Sequence, residues 1–163
     1  MSRHCRDHGR IVATAPGRVG IIGNPTDMYG GAVISVTTEE RARCVLLPGD
    51  GLVIACGDSE LEVATDGDLA PCDDALDIGR AIARHFGLGP DAGLRMELST
   101  NVPVQAGMGG SASLIVAAVG ALDRWFEWDM HPWKLAETAR KVEYRTLGVL
   151  CGFRISTWRC SAA

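Results

Sequence analysis

The sequence predicts an α+β fold, a mostly antiparallel sheet with its helices gathered on one face. Three observations carry this expectation. The first half is a series of short β-branched runs separated by turn residues. After Asp73 the apolar period changes to a helical one. The resulting order of strands, helix, strand, loop, helix, helix is not the regular alternation of a parallel βαβ array.

Ile11 to Ala15 and Val19 to Gly23 read as two extended segments either side of a kink at Pro16-Gly17, and Ala32 to Val36 continues the extended character. Arg41 to Leu47, Leu52 to Cys56 and Leu61 to Thr65 are further strands, divided by Pro48-Gly49-Asp50-Gly51 and Gly57-Asp58-Ser59, which are hairpin turns by composition. From Asp73 to Phe86 the residues Leu76, Gly79, Ala83 and Phe86 share one side of a helix, and Gly87 supplies its stop. Leu94 to Leu98 alternates like a half-buried strand. Between Ser111 and Phe126 the stripe Leu114, Ile115, Ala118, Val119, Leu122 and Trp125 marks a second helix. A third begins at Pro132, tolerated in a first turn, and carries Leu135, Ala139 and Val142 to about Leu147 before Gly148.

The 163 residues, 47% hydrophobic and 22% charged, can bury one real core. A polar arm over residues 1–10, a domain over 11–152 and an atypical tail over 153–163 are the expected divisions. A net charge of −4 offers no basic stripe to neutralise phosphates, which excludes a nucleic-acid partner. Neither a signal peptide nor an apolar run long enough for a bilayer stands out, so no membrane partner and a cytoplasmic location are expected. The six scattered cysteines lack CxxC pairing and read as reduced thiols. Oligomeric state stays open.

The richest segment for chemistry is Pro103-Val104-Gln105-Ala106-Gly107-Met108-Gly109-Gly110-Ser111-Ala112-Ser113, which follows a strand and opens a helix. Unpaired amides and the positive end of the helix dipole attract phosphate at such a place. Gly107, Gly109 and Gly110 allow positive φ and close approach of the backbone, and Ser111 offers a hydroxyl to phosphate or to Mg²⁺. A tight strand-to-helix turn, with glycines only for packing, explains the same residues. No lysine follows the glycines and the spacing is not GxGxxG, so two common nucleotide loops are excluded.

That segment resembles the P-x-x-x-G-L-G-S-S-A-[AS] loop of the GHMP kinases, named for galactokinase, homoserine kinase, mevalonate kinase and phosphomevalonate kinase. Gly110 stands in place of the loop's first serine. Upstream, Ala15-Pro16-Gly17-Arg18-Val19-Gly20-Ile21-Ile22-Gly23-Asn24-Pro25-Thr26-Asp27 resembles the A-P-G-R-V-x-x-x-G-x-x-T-D signature of the family's sugar kinases. The resemblance implies ATP and Mg²⁺ as cofactors, and a nucleotide and a small molecule as partners. It implies phosphate binding by Pro103, Gly107, Met108, Gly109, Gly110, Ser111, Ala112 and Ser113. It implies substrate contacts from Asn24, Thr26 and Asp27, and makes Arg18 the catalytic cation. The Asn24-Pro25 pair is similar to glucuronokinase, which points to a sugar or sugar acid; a mevalonate- or homoserine-type enzyme is the alternative. From the residues alone, Asp27 also serves as a turn cap and Arg18 as a surface charge.

Glu143, Gly148 and Gly152 keep the spacing around the family's Mg²⁺-binding glutamate, so Ser111 and Glu143 are the implied metal ligands; an ion pair with Arg140 or a lysine is the other reading of Glu143. On a helical wheel Glu143 flanks the apolar stripe. The family's catalytic aspartate falls at Ile155 here, and nothing after Gly152 resembles the family's C-terminal domain. The implied fold is the GHMP N-terminal domain, similar to the second domain of ribosomal protein S5. With the base position filled by Ile155, the chain is expected to be inactive or nearly so. A nucleotide-binding fragment without catalysis and a scaffold that engages a partner are the competing readings.

Overall fold

The computed structural model describes residues 9–23, 26–103, 106–147 and 161–162. In chain order the elements are β1 (Ile11–Ile22), β2 (Ile34–Pro48), β3 (Leu52–Cys56), β4 (Ser59–Val63), α1 (Asp77–Phe86), β5 (Leu94–Thr100), α2 (Gly110–Phe126), α3 (Pro132–Lys141) and β6 (Ser161–Ala162). Short 3-10 turns occupy Thr26–Tyr29 and Asp66–Leu69. The strands form one sheet in the order β4-β3-β5-β2-β1-β6. Every neighbouring pair is antiparallel except β3 and β5, which run parallel because β4 and α1 carry the chain back across the sheet between them. This is the expected α+β architecture.

Alternation sets the core. On β1, β2, β3 and β5 the residues Ala13, Cys44, Leu46, Ile54, Met96 and Leu98 are buried while their sequence neighbours are mostly half-buried or exposed, so one face meets the helices. α2 packs centrally there. Twelve of its residues are buried, among them Val116, Ala117, Gly120 and Ala121, which lie off the single apolar stripe expected of a surface helix. Small side chains are what let a central helix sit down on a sheet of Ala13, Ala15 and Ala42.

Several boundaries differ from the sequence reading. Pro16-Gly17 does not divide two strands: β1 runs through it and the register against β2 shifts between Pro16 and Arg18 and again between Gly20 and Ile22. Likewise Ala32 to Val36 and Arg41 to Leu47 belong to one long strand, since each keeps pairing with β1. α1 starts at Asp77 instead of Asp73, because Asp73 adopts φ 60° and the carboxylates of Asp74 and Asp77 organise a loop before the helix. α3 stops at Lys141, and its continuation widens into a π-helical turn over Val142–Thr146. Gly87 ends α1 in the left-handed conformation, as its position predicts.

Candidate active site

The site forms where the strand ends meet the start of α2. Beyond β5, Val102 is buried and its N–H donates to the Thr100 hydroxyl at 3.0 Å, turning the chain out of the sheet. Gly17 on β1 faces this turn. A Cβ there would stand 2.8 Å from the Thr38 hydroxyl and 3.1 Å from a Val102 methyl, so only glycine lets β1 come this close. The next residue, Arg18, donates its N–H to the carbonyl of Met108 at 2.8 Å and is buried to 5% exposure. One backbone hydrogen bond therefore joins the two motifs that lie far apart in the sequence.

Gly107 and Gly109 have φ of 70° and 68°, and a Cβ on either would meet nothing within 4 Å. Their conformation, and not crowding, is what calls for glycine. Gly109, the N-cap of α2, has no side chain with which to cap that end, and no acidic residue occupies the first turn. First-turn amides and the positive end of the helix dipole favour an anion at such an end. Ser111 is exposed beside them. Ser113 is different: at 1% exposure its hydroxyl donates to the carbonyls of Gly109 at 2.7 Å and Gly110 at 3.1 Å, bracing the turn from behind.

A cleft of about 600 Å³ runs along this loop. Pro103, Gly107, Met108, Gly109, Gly110, Ser111 and Ala112 line it. Glu143, on the π-helical turn and only 5% exposed, lines it as well. The structure therefore brings Ser111 and Glu143 to one cavity. No group of three or more His, Cys, Asp or Glu side chains able to hold a metal occurs among the described residues. A hydroxyl and one carboxylate fit Mg²⁺, which takes one or two carboxylates and completes its shell with phosphate oxygens and water.

The sequence reading missed that Cys56, Asp74, Ala75, Ile78 and Leu114 also line the cleft. Behind Asp74, Arg80, 5% exposed, grips both oxygens of that carboxylate at 2.6 and 3.0 Å and one of Asp77 at 2.7 Å. These bonds raise the Arg80 guanidinium above its ordinary range and hold Asp74 below the usual carboxylate value. Only the Asp77–Arg80 spacing carried a signal, since residues three apart on a helix are neighbours; Asp74 reaches Arg80 from the loop before α1.

The loop that carries Asn24, Thr26 and Asp27, the expected substrate residues, is described in part. Thr26 is exposed, and its hydroxyl donates to the carbonyls of Gly23 and Ala32, closing the turn in which Gly23 takes φ 85°. Asp27 lies in the Thr26–Tyr29 turn. Asn24 and Ile155 lie outside the described residues. No described helix is long and apolar enough to cross a membrane.

Residues 75–154 match the family model of the GHMP kinases N terminal domain, and residues 2–48 match that of the galactokinase galactose-binding signature. The mevalonate kinase of Archaeoglobus fulgidus is 26% identical over 144 residues, covering 87% of this chain and 48% of the relative. The galactokinase of Thermotoga petrophila is 29% identical over 143 residues, covering 85% and 40% respectively. The crystal structure of Methanococcus jannaschii mevalonate kinase superposes with a TM-score of 0.70 at 17% identity, over 97% of this chain and 54% of that one, and shares the fold. The fold and the two matching models together define a domain of the GHMP kinase N-terminal type. The chain belongs to the GHMP kinase superfamily. It spans half or less of the length of the curated relatives it matches.

Proposed function

We propose that this chain is the phosphate-binding half of an ATP-dependent kinase that phosphorylates a hydroxyl of a sugar or sugar acid. The observation that carries the reading is the Arg18 to Met108 hydrogen bond, which fastens the signature strand to the glycine loop at the edge of a cleft that also contains Glu143. The amides at the start of α2 bind the phosphates, and Arg18 contributes positive charge beside them. Ser111 and Glu143 would hold Mg²⁺, which supplies charge neutralisation for phosphoryl transfer when bound. The sugar hydroxyl is held by the loop of Asn24, Thr26 and Asp27. The galactose-binding signature over residues 2–48 favours a sugar over mevalonate.

The 163-residue chain by itself binds nucleotide but turns over poorly. Phosphoryl transfer depends on positioning and charge stabilisation, and a general base for the attacking hydroxyl contributes about 10² to 10⁴ in rate. Ile155, at the position where the family resemblance places that base, cannot take a proton. Two measurements test these statements. Calorimetric titration with ATP in the presence of Mg²⁺ should show one site, and a flat titration refutes the assignment of the cleft. A coupled ADP-release assay with glucuronate, galactose and mevalonate should show only slow turnover, fastest with a sugar; family-like rates would refute the inactivity, and a preference for mevalonate the substrate class.

A further inference from the structure

The helix carrying Glu143 does not end as an α-helix. Its last turn widens over Val142–Thr146 and is closed by the Leu147 N–H donating to the Val142 carbonyl at 3.2 Å. Such π-helical turns are rare and need support from outside the helix. Here the last carbonyls, which lack partners within the helix, receive it from α1: Arg84 Nη2 donates to the Thr146 carbonyl at 3.2 Å. A guanidinium at a helix C-terminus also meets the negative end of the dipole.

α1 is itself anchored. One turn before Arg84, Arg80 holds Asp74 and Asp77 with three short bonds. Asp74 lines the same cleft as Glu143. Residues four apart share a helix face, so α1 presents one arginine to each of the two segments that contribute carboxylates to the cleft. Arg80 fixes the helix against the Asp74 wall, and Arg84 reaches from that fixed helix to the turn that carries Glu143.

We propose that Arg84 is a positioning residue that sets Glu143 at the cleft by tying the π-helical turn to α1. It touches neither ligand nor metal. The proposal rests on the reading of Glu143 as a Mg²⁺ ligand for its functional consequence, although the positioning itself can be measured without it. A plain surface arginine, serving only solubility, would leave Glu143 where it is.

The test compares the chain with its Arg84→Met and Arg84→Lys variants, titrated with ATP in Mg²⁺ and again in EDTA, with melting temperature recorded for each. Residues that orient a metal ligand typically change metal affinity by about tenfold or more. Arg84→Met is therefore expected to weaken binding about tenfold in Mg²⁺, leave binding in EDTA unchanged, and leave the melting temperature close to that of the parent. Arg84→Lys, which keeps a donor and the charge, recovers most of the loss. Equal Mg²⁺ dependence in all three proteins overturns the proposal, as does a parallel loss in Mg²⁺ and EDTA, which marks a merely structural contact. The ¹³C resonance of the Glu143 carboxyl gives a second readout that needs no nucleotide. It should move in Arg84→Met and return in Arg84→Lys, and a fixed resonance overturns the proposal. Failure of the parent chain to bind ATP refutes the kinase reading, while the resonance still decides the role of Arg84.

Discussion

Replacing Gly79 by alanine sets two physical effects against each other. Gly79 lies in the interior of α1, where alanine is intrinsically better by about 1 kcal/mol. In this structure, however, a Cβ would stand 2.3 Å from Cγ2 of Ile54 and 3.5 Å from Cδ1 of Leu98. Carbon atoms settle at about 3.5–4.0 Å. Either α1 lifts off β3 or Ile54 moves, by more than about 1 Å, and Ile54 is fully buried with no solvent side to swing toward. Overpacking of this kind costs about 1–3 kcal/mol, and overlap with a fully buried β-branched side chain belongs in the upper part of that range, about 2–3 kcal/mol, so after the gain in helix propensity the net effect is a destabilisation of about 1–2 kcal/mol. In a chain of this size that lowers the melting temperature by about 3–6 °C. Thermal unfolding followed by far-UV circular dichroism measures it. Because Ile78 and Asp74 reach the cleft from the same end of α1, ATP affinity should fall together with stability. A melting temperature equal to or above that of the parent would refute the packing argument, since it would mean that helix propensity wins.

Three further outcomes follow from the same geometry. Ser113→Ala removes a buried hydroxyl bonded to two carbonyls and should cost about 1 kcal/mol of stability with little change in ATP affinity, whereas Ser111→Ala should do the reverse; unfolding curves and calorimetry separate them. Burial, then the nearby charges of Lys141 and Arg145, hold the His85 imidazole below its ordinary 6.5. The unfolded chain then binds the proton more readily, so stability is full above about pH 6.5 and declines as the pH falls through the lowered value; His85→Gln should flatten that decline in urea titrations. Burial alone would raise the Asp77 carboxyl, but the Cys72 N–H, the Arg80 guanidinium and the Asp73 N–H together hold it below its ordinary 3.8. Its contribution is therefore present above about pH 4 and lost as the pH falls further, so Asp77→Asn should be less stable than the parent at neutral pH, with the gap closing in acid.

Much of the architecture was legible because its signals are local. Alternation marked the buried faces of the strands, and a 3.6-residue period marked α2 from Ser111 to Phe126, one residue short of its observed start. Glycines at positive φ marked the ends of elements, as Gly87 does for α1. What escaped were features set by partners distant in the chain. Pro16-Gly17 resembles a strand break, yet β1 continues because β2 supplies a partner that absorbs the irregularity as a shift in register. The stretch from Asp73 to Leu76 has helical spacing, yet Arg80 draws two carboxylates into a loop that competes with the helix. The end of α3 keeps its apolar stripe through Val142, yet the turn widens where α1 takes hold of Thr146.

By itself, then, the order of residues determined the fold class, the family, and the glycine loop that opens α2, because each depends on residue types at short spacing. Only the tertiary structure decided which serine of the glycine loop faces the cleft and which braces the turn, since Ser111 and Ser113 differ in burial and not in chemistry. It also decided that Glu143 and Asp74 share one cavity with that loop, and that α1 holds Asp74 through Arg80 and, through Arg84, the Thr146 carbonyl of the turn that carries Glu143. Burial, cavities and ion pairs arise from segments that meet only after the sheet has formed, and no local pattern encodes the meeting.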